Sequence, residues 1–235
     1  MNIEEQTIEA PVENEPLPWG VTEVIYGIIA MMAISSLFML VVQFLGIKSN
    51  AILIGYELVY LLPPIVVIWL KKAPLRTLGL RRFAFTDLLF GFAILFLAYI
   101  VIFVHNLALM AFNIAPQGEY IAELFDLDIN LWVLGVAVVI VAPIAEEIFF
   151  RSFLYAGLEE SFGGNKAILI SALLFGAAHM QLVAFIPTFL MGLVLAYVYR
   201  RSRSVLPGII LHFAVNGLGF TMIYLLINFS DQLSL

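Results

Sequence analysis

Seven apolar stretches, at 21–46, 51–70, 88–112, 131–153, 166–180, 182–199 and 206–229, constrain the chain more than any other feature. A helix needs about 20 apolar residues to cross the hydrocarbon core of a bilayer, where every backbone polar group must find its partner within the segment. Several stretches reach that length, and the fifth is short for a full crossing. The pattern predicts an all-α, polytopic transmembrane bundle of about seven to eight helices. Composition agrees: 63% of the 235 residues are hydrophobic and 12% charged, well under the charged fraction of soluble domains. Pro63-Pro64 in the second stretch and Pro143 in the fourth predict kinks.

Nothing like a linker divides this apolar body, so residues 19–235 read as one domain. Residues 1–18 combine Glu4, Glu5, Glu9, Glu13 and Glu15 with Pro11, Pro16 and Pro18, too few apolar groups to offset the entropy of ordering. They read as an acidic, disordered cytoplasmic tail. An acidic leader without a basic region is unlike a cleavable signal peptide, so the first stretch is expected to stay in the membrane. No tandem repeat of fixed period is visible. The net charge of -6 is too unevenly spread to identify a partner, and nothing points to nucleic acid. The expected surroundings are the lipid bilayer and a peptide or protein substrate at the membrane.

Two basic loops set the orientation. One carries Lys71, Lys72, Arg76, Arg81 and Arg82; the other carries Arg200, Arg201 and Arg203. Lys and Arg accumulate in cytoplasmic loops. Four crossings lie between the two loops, an even number, so both fall on one side. The loop at 113–130 has Glu119, Glu123, Asp126 and Asp128 and no Lys or Arg, as expected of the opposite face. The protein is thus expected to be multi-pass in the cell membrane with its N-terminus in the cytoplasm.

Within the fourth stretch, Glu146, Glu147 and Arg151 follow Pro143. Each charge near a helix centre costs about 2.5–3.5 kcal/mol on insertion scales, so all three need partners. Glu147 and Arg151 are four apart with the acid first, the favourable order for a helical ion pair. A structural pin explains them as readily as a direct chemical role. Glu146 points about 100° away around the helix, and its partner must come from elsewhere. The candidates are His179, preceded by the small residues Gly176, Ala177 and Ala178, and His212, which shares a helix face with Asn216 four residues on. His105, beside Asn106, reads as a helix-to-helix hydrogen bond. Glu57 is a further acid within a span, and its role is open.

Elimination narrows the chemistry. The zinc helix His-Glu-x-x-His is absent, Asp87 alone cannot form an aspartate pair, and a chain without Cys has no thiol nucleophile. Ser171 lies about 12 Å along the helix from His179, too far for a Ser–His pair. A carboxylate and imidazoles that activate water remain, with further donors for the oxyanion. Two versions stay open. Glu146, His179 and His212 could ligate a zinc ion with an open position; alternatively, Glu146 with His179 activates water while His212 and Asn216 hold the oxyanion, without metal.

Three motifs carry a resemblance: Glu146-Glu147-x-x-x-Arg151, Phe175-x-x-x-His179 and His212-x-x-x-Asn216, in that order on successive stretches. Together they resemble the CAAX-protease and bacteriocin-processing (CPBP, or Abi) family over about residues 131–229, and Leu78-Gly79-Leu80-Arg81-Arg82 also looks family-like. The resemblance implies an intramembrane endopeptidase with Glu146 as base, His179 as its partner, His212 and Asn216 as oxyanion stabilisers, and Glu147, Arg151 and Phe175 in support. For some members it implies a lipid-modified substrate. Two other readings of the same residues are a non-catalytic immunity or scaffold partner and a proton-coupled transporter. The transporter would be expected to show a second half resembling the first, and no such half is visible.

Overall fold

The structure, a computed structural model, describes residues 17–117 and 130–229. The proposed tail, most of the acidic loop and the last six residues lie outside them. Seven long helices make up the described part: α1 (Val21–Phe44), α2 (Ala51–Lys71), α3 (Phe85–Ala111), α4 (Leu131–Phe162), α5 (Gly164–Ala178), α6 (Leu182–Ser202) and α7 (Leu206–Phe229). All but α5 are long and apolar enough to cross a membrane. The all-helical bundle expected from the apolar stretches is therefore present, with a short fifth helix.

Contacts at one end of the bundle fix the direction of every helix. Lys71, closing α2, pairs with Glu23 in the first turn of α1 at 2.6 Å. Arg201, closing α6, meets Asp87 at the start of α3 at 2.8 Å, and Arg203 meets Glu159 near the end of α4. The Arg200 guanidinium donates to Asn165 in the first turn of α5. The two basic loops touch as well: the Val205 amide donates to the Gly79 carbonyl at 3.0 Å, and the Ser204 hydroxyl to the Arg81 carbonyl at 2.7 Å. The helices thus alternate in direction, and the basic loops share one end, as the parity argument requires.

The fourth helix runs further than its apolar stretch suggests, to Phe162 rather than 153. Glu159 accepts from Tyr155 at 2.8 Å and pairs with Arg203, so the last turns are held by side chains. α4 is the centre of the bundle. Phe149, Phe150, Phe153 and Tyr155 are fully buried, packed by Trp19 and Val24 at α1, Tyr60 of α2, Phe175 of α5 and Tyr199 of α6. A second cluster joins Leu95 of α3 to Leu195 and Val198 of α6 and Leu211 of α7. Outer faces are apolar and exposed, among them Tyr26, Phe96 and Leu97, as suits a body solvated by lipid.

The prolines distort rather than break their helices. Val59–Leu61, just before Pro63-Pro64, tightens into a 3-10 turn. Around Pro143, α4 widens into two π-helical stretches, Val136–Val141 and Ile148–Tyr155. Wide turns leave carbonyls poorly paired along the helix, and buried carbonyls need donors. Ser171 donates to the Phe150 carbonyl at 3.1 Å, and the Trp19 indole to the Phe153 carbonyl at 3.0 Å. This gives Ser171 a structural use and agrees with its exclusion as a nucleophile.

Candidate active site

The site begins with the segment between the two wide stretches of α4, Ala142–Glu147. Its charged side chains turn into the bundle. Glu147 and Arg151 have no exposed side-chain surface, and the Glu147 Oε2 to Arg151 Nε distance is 3.3 Å, so the expected i,i+4 pair is present. Glu146 finds its partner on another helix, also as expected: its Oε2 lies 3.9 Å from His212 Nε2. The other imidazole nitrogen of His212, Nδ1, lies 3.4 Å from Glu147 Oε1. One ring from α7 thereby bridges two adjacent acids of α4, with one ring nitrogen facing each carboxylate.

α7 can come this close because residue 208 is glycine. A Cβ there would fall 2.6 Å from Glu147 Oε2. Gly208 sits in the first turn of α7, where unpaired amide groups and the positive end of the helix dipole favour a nearby anion. Its importance is not apparent from the sequence pattern; the only hint is a glycine directly after Pro207 at a helix start.

Phe175 joins the second and third motifs. Arg151 Cζ lies over its ring at 4.5 Å, and the rings of His179 and His212 meet it at 5.0 Å and 5.8 Å, both edge to face. His179 closes α5 at the tip of the α5–α6 hairpin. Its Nδ1 is 2.9 Å from the Phe175 carbonyl, which can only accept, so Nδ1 carries the proton and Nε2 remains the basic nitrogen. Asn216, one turn beyond His212, donates from Nδ2 to the Val138 carbonyl at 2.9 Å. Val138 stands five residues before Pro143, the spacing of the wide turn, and Pro143 has no N–H to offer it. Asn216 therefore fills a gap that the proline leaves, with its second amide hydrogen still available.

Glu146, Glu147, Arg151, Phe175 and His212 thus form one buried cluster, with His179 attached through Phe175 and Asn216 along α7. His105 pairs with Asn106 within α3 at 3.3 Å, which fits its structural reading. Seven buried atoms of the cluster make no hydrogen bond within the protein: Glu146 Oε2, both oxygens of Glu147, all three guanidinium nitrogens of Arg151, and His212 Nδ1. Buried polar atoms are normally satisfied, so such a concentration marks a place arranged for something other than packing.

The geometry does not fit the zinc alternative. A zinc site needs ligand atoms converging about 2 Å from one point. The two nitrogens of His212 instead face different carboxylates, and the fixed cation of Arg151 adjoins Glu147. Among the described residues, no three His, Asp or Glu side chains lie where they could hold a metal ion.

Comparison with known proteins finds a likeness of the same kind over residues 128–218. Residues 128–218 match the family model described as type II CAAX prenyl endopeptidase Rce1-like. "Putative membrane peptidase YdiL" of Bacillus subtilis (strain 168) is 30% identical over 105 residues, 45% of this chain and 43% of that protein. "UPF0177 protein YxdF" of Lactococcus lactis subsp. lactis (strain IL1403) is 29% identical over 91 residues, 38% of this chain and 50% of that protein. The chain spans about half the length of these curated relatives or less. No solved structure matches it.

Proposed function

We propose, with the Rce1-like match over residues 128–218 as premise, that the protein is an intramembrane endopeptidase that hydrolyses a peptide bond with water, without metal. The observation that carries the proposal is the buried convergence of Glu146 and Glu147 with His212 and Arg151, whose polar atoms find no hydrogen-bond partners within the protein. Glu146 acts as general base. It takes a proton from water as the oxygen attacks the substrate carbonyl carbon, and the C–N bond breaks as that proton passes to the departing amine. His179, its tautomer set by the Phe175 carbonyl, offers Nε2 as a second acceptor for the attacking water. His212 and the free amide hydrogen of Asn216 donate to the oxyanion, where positioned donors act most strongly because water is excluded. Glu147 and Arg151 hold His212 in place from the opposite side.

The substrate class this reading supports is a peptide segment presented at the membrane, including lipid-modified tails. The cytoplasmic location of the N-terminus and of the basic end belongs to the same proposal, supported by the two basic loops meeting at one end.

Full-length protein reconstituted in proteoliposomes and offered a fluorogenic peptide library tests the reading. Wild type should cleave, Glu146→Ala should lose cleavage by on the order of a hundredfold or more, and a chelator should leave the wild-type rate unchanged. Cleavage by Glu146→Ala at the wild-type rate overturns the base assignment. Loss of cleavage with chelator, restored by zinc, overturns the metal-free version.

A further inference from the structure

The loop between α2 and α3, 72–84, takes no part in the mechanism above, and its two edges differ in character. The inner edge is buried and fixed. Leu78, which closes a 3-10 turn from Leu75, belongs to the main core cluster. The Leu78 carbonyl accepts from the Ser152 hydroxyl of α4 at 2.6 Å, the Gly79 carbonyl from the Val205 amide at 3.0 Å, and the Arg81 carbonyl from the Ser204 hydroxyl at 2.7 Å. Gly79 is required for this seat: its φ is +69°, and a Cβ there would fall 3.1 Å from the Tyr199 ring. The backbone from Leu78 to Arg81 is thus pinned by α4 and by the turn between α6 and α7.

The outer edge mixes cations with apolar groups. Lys72, Arg81 and Arg82 are exposed, and so are Leu75 and Leu80. Trp69 in the last turn of α2 and Phe85 at the start of α3 flank the loop and are exposed as well. Trp concentrates where a span leaves the bilayer, which puts the loop at headgroup level. Three carboxylates at this end are already committed, Glu23 to Lys71, Asp87 to Arg201 and Glu159 to Arg203. Among the described residues no carboxylate pairs with Lys72, Arg81 or Arg82.

We infer that the outer edge of this loop is a binding surface for anionic phospholipid headgroups of the leaflet it faces. Leu75, Leu80 and Phe85 enter the acyl boundary while the cations meet lipid phosphates, the division expected of an interfacial amphipathic segment. Each guanidinium can present two parallel N–H donors to a phosphate. The pinned backbone strengthens the case, because the entropy of ordering the loop is met on folding and does not weigh against binding. A soluble acidic protein would match the charge, but exposed leucines between the cations and a Trp at the loop's edge favour lipid.

The test uses full-length protein reconstituted in phosphatidylcholine vesicles with a trace of pyrene-labelled phosphatidylglycerol or pyrene-labelled phosphatidylcholine. Energy transfer from the tryptophans measures how far each lipid is enriched around the protein, and Trp69 borders the loop. Wild type should enrich the anionic lipid. A basic side chain near an anionic membrane surface contributes about fivefold to binding, so Arg81→Gln/Arg82→Gln should reduce the preference on the order of twentyfold. Both side chains are exposed, and the unfolding temperature checks that the variant is folded. Should it fail to fold, Arg82→Gln alone carries the test with a loss of about fivefold. Lys71→Gln/Arg201→Gln removes the same two charges from paired positions and should keep most of the preference. Equal losses in the two double variants would make net charge alone responsible and overturn the inference. Absence of any preference in wild type overturns it too, and leaves a soluble acidic partner as the reading of the loop. Inorganic phosphate should displace no more lipid than chloride at equal ionic strength; greater displacement would mark a site for the free ion and overturn the lipid assignment. Every readout is independent of cleavage, so the surface stands or falls apart from the role of Glu146.

Discussion

Charges at the end of the bundle and charges at its centre are arranged in opposite ways. At the end, Lys71–Glu23, Arg201–Asp87 and Arg203–Glu159 are all close, at 2.5 to 2.8 Å, and all partly exposed. At the centre, Arg151–Glu147 is at 3.3 Å and His212–Glu146 at 3.9 Å, with exposures between 0% and 12%. Stability alone would favour the reverse, because desolvation makes an imperfectly paired buried charge expensive while an exposed pair contributes little whatever its length. The end pairs are ordinary ties between neighbouring helices. The central charges are held at a cost, and the loose geometry leaves seven of their buried donors and acceptors without a hydrogen bond within the protein.

Arg151 gives the strongest test of that contrast. Arg151→Leu should destabilise the protein by about 3–5 kcal/mol, because it leaves Glu147 buried without its counter-ion. Thermal unfolding in detergent measures it. The double variant Glu147→Gln/Arg151→Leu should recover most of the lost stability, since replacing a whole buried pair is often neutral, while cleavage stays low. A double variant that is stable and fully active would make the pair a structural pin and remove the contrast.

Gly208→Ala probes the same contrast at smaller scale. The new methyl would sit 2.6 Å from Glu147 Oε2, so α7 or the carboxylate must shift. Overpacking of this kind costs about 1–3 kcal/mol. Because His212 stands one turn further along α7, the cleavage rate should fall more than stability alone accounts for. An equal substitution at Gly219, where a Cβ would meet nothing within 4 Å, is the control. Equal behaviour of the two variants would mean that the approach of α7 to Glu147 has no bearing on the site.

The centre and the periphery also differ in how far they can be read from sequence. Glu146, Glu147 and Arg151 are legible because charge inside an apolar stretch is costly, so its presence needs a reason, and the i,i+4 order names one partner directly. The common side of the two basic loops follows from counting crossings. What escapes is whatever depends on contact between distant helices. Gly208 matters only because Glu147 lies against it, and Phe175 only because Arg151, His179 and His212 gather round one ring. The Asn216 to Val138 bond depends on α4 widening before Pro143, which a proline predicts as a kink but not as a turn of particular width. Even the imidazole beside Glu146 differs from the expectation: the family resemblance gives His179 as its partner, whereas packing brings His212 within 3.9 Å.

The smallest effect is expected where the geometry looks best. Arg201 and Asp87 are 2.8 Å apart with the Arg201 side chain 45% exposed, and its guanidinium also lies over the Phe90 ring at 4.8 Å. Water and salt screen such a pair, and exposed pairs contribute about 0–1 kcal/mol. Arg201→Ala should therefore lower the unfolding free energy by about 1 kcal/mol or less, part of it from lost packing of the side-chain stem on the aromatic ring. Raising ionic strength should remove what is electrostatic and leave that packing part. On the proposed mechanism the variant should cleave at the wild-type rate, because that mechanism assigns no part of the chemistry to the end of the bundle. A large loss of activity in Arg201→Ala with unchanged stability would show that the charged end reaches the site, and the division drawn between the two regions would fail at its weakest pair.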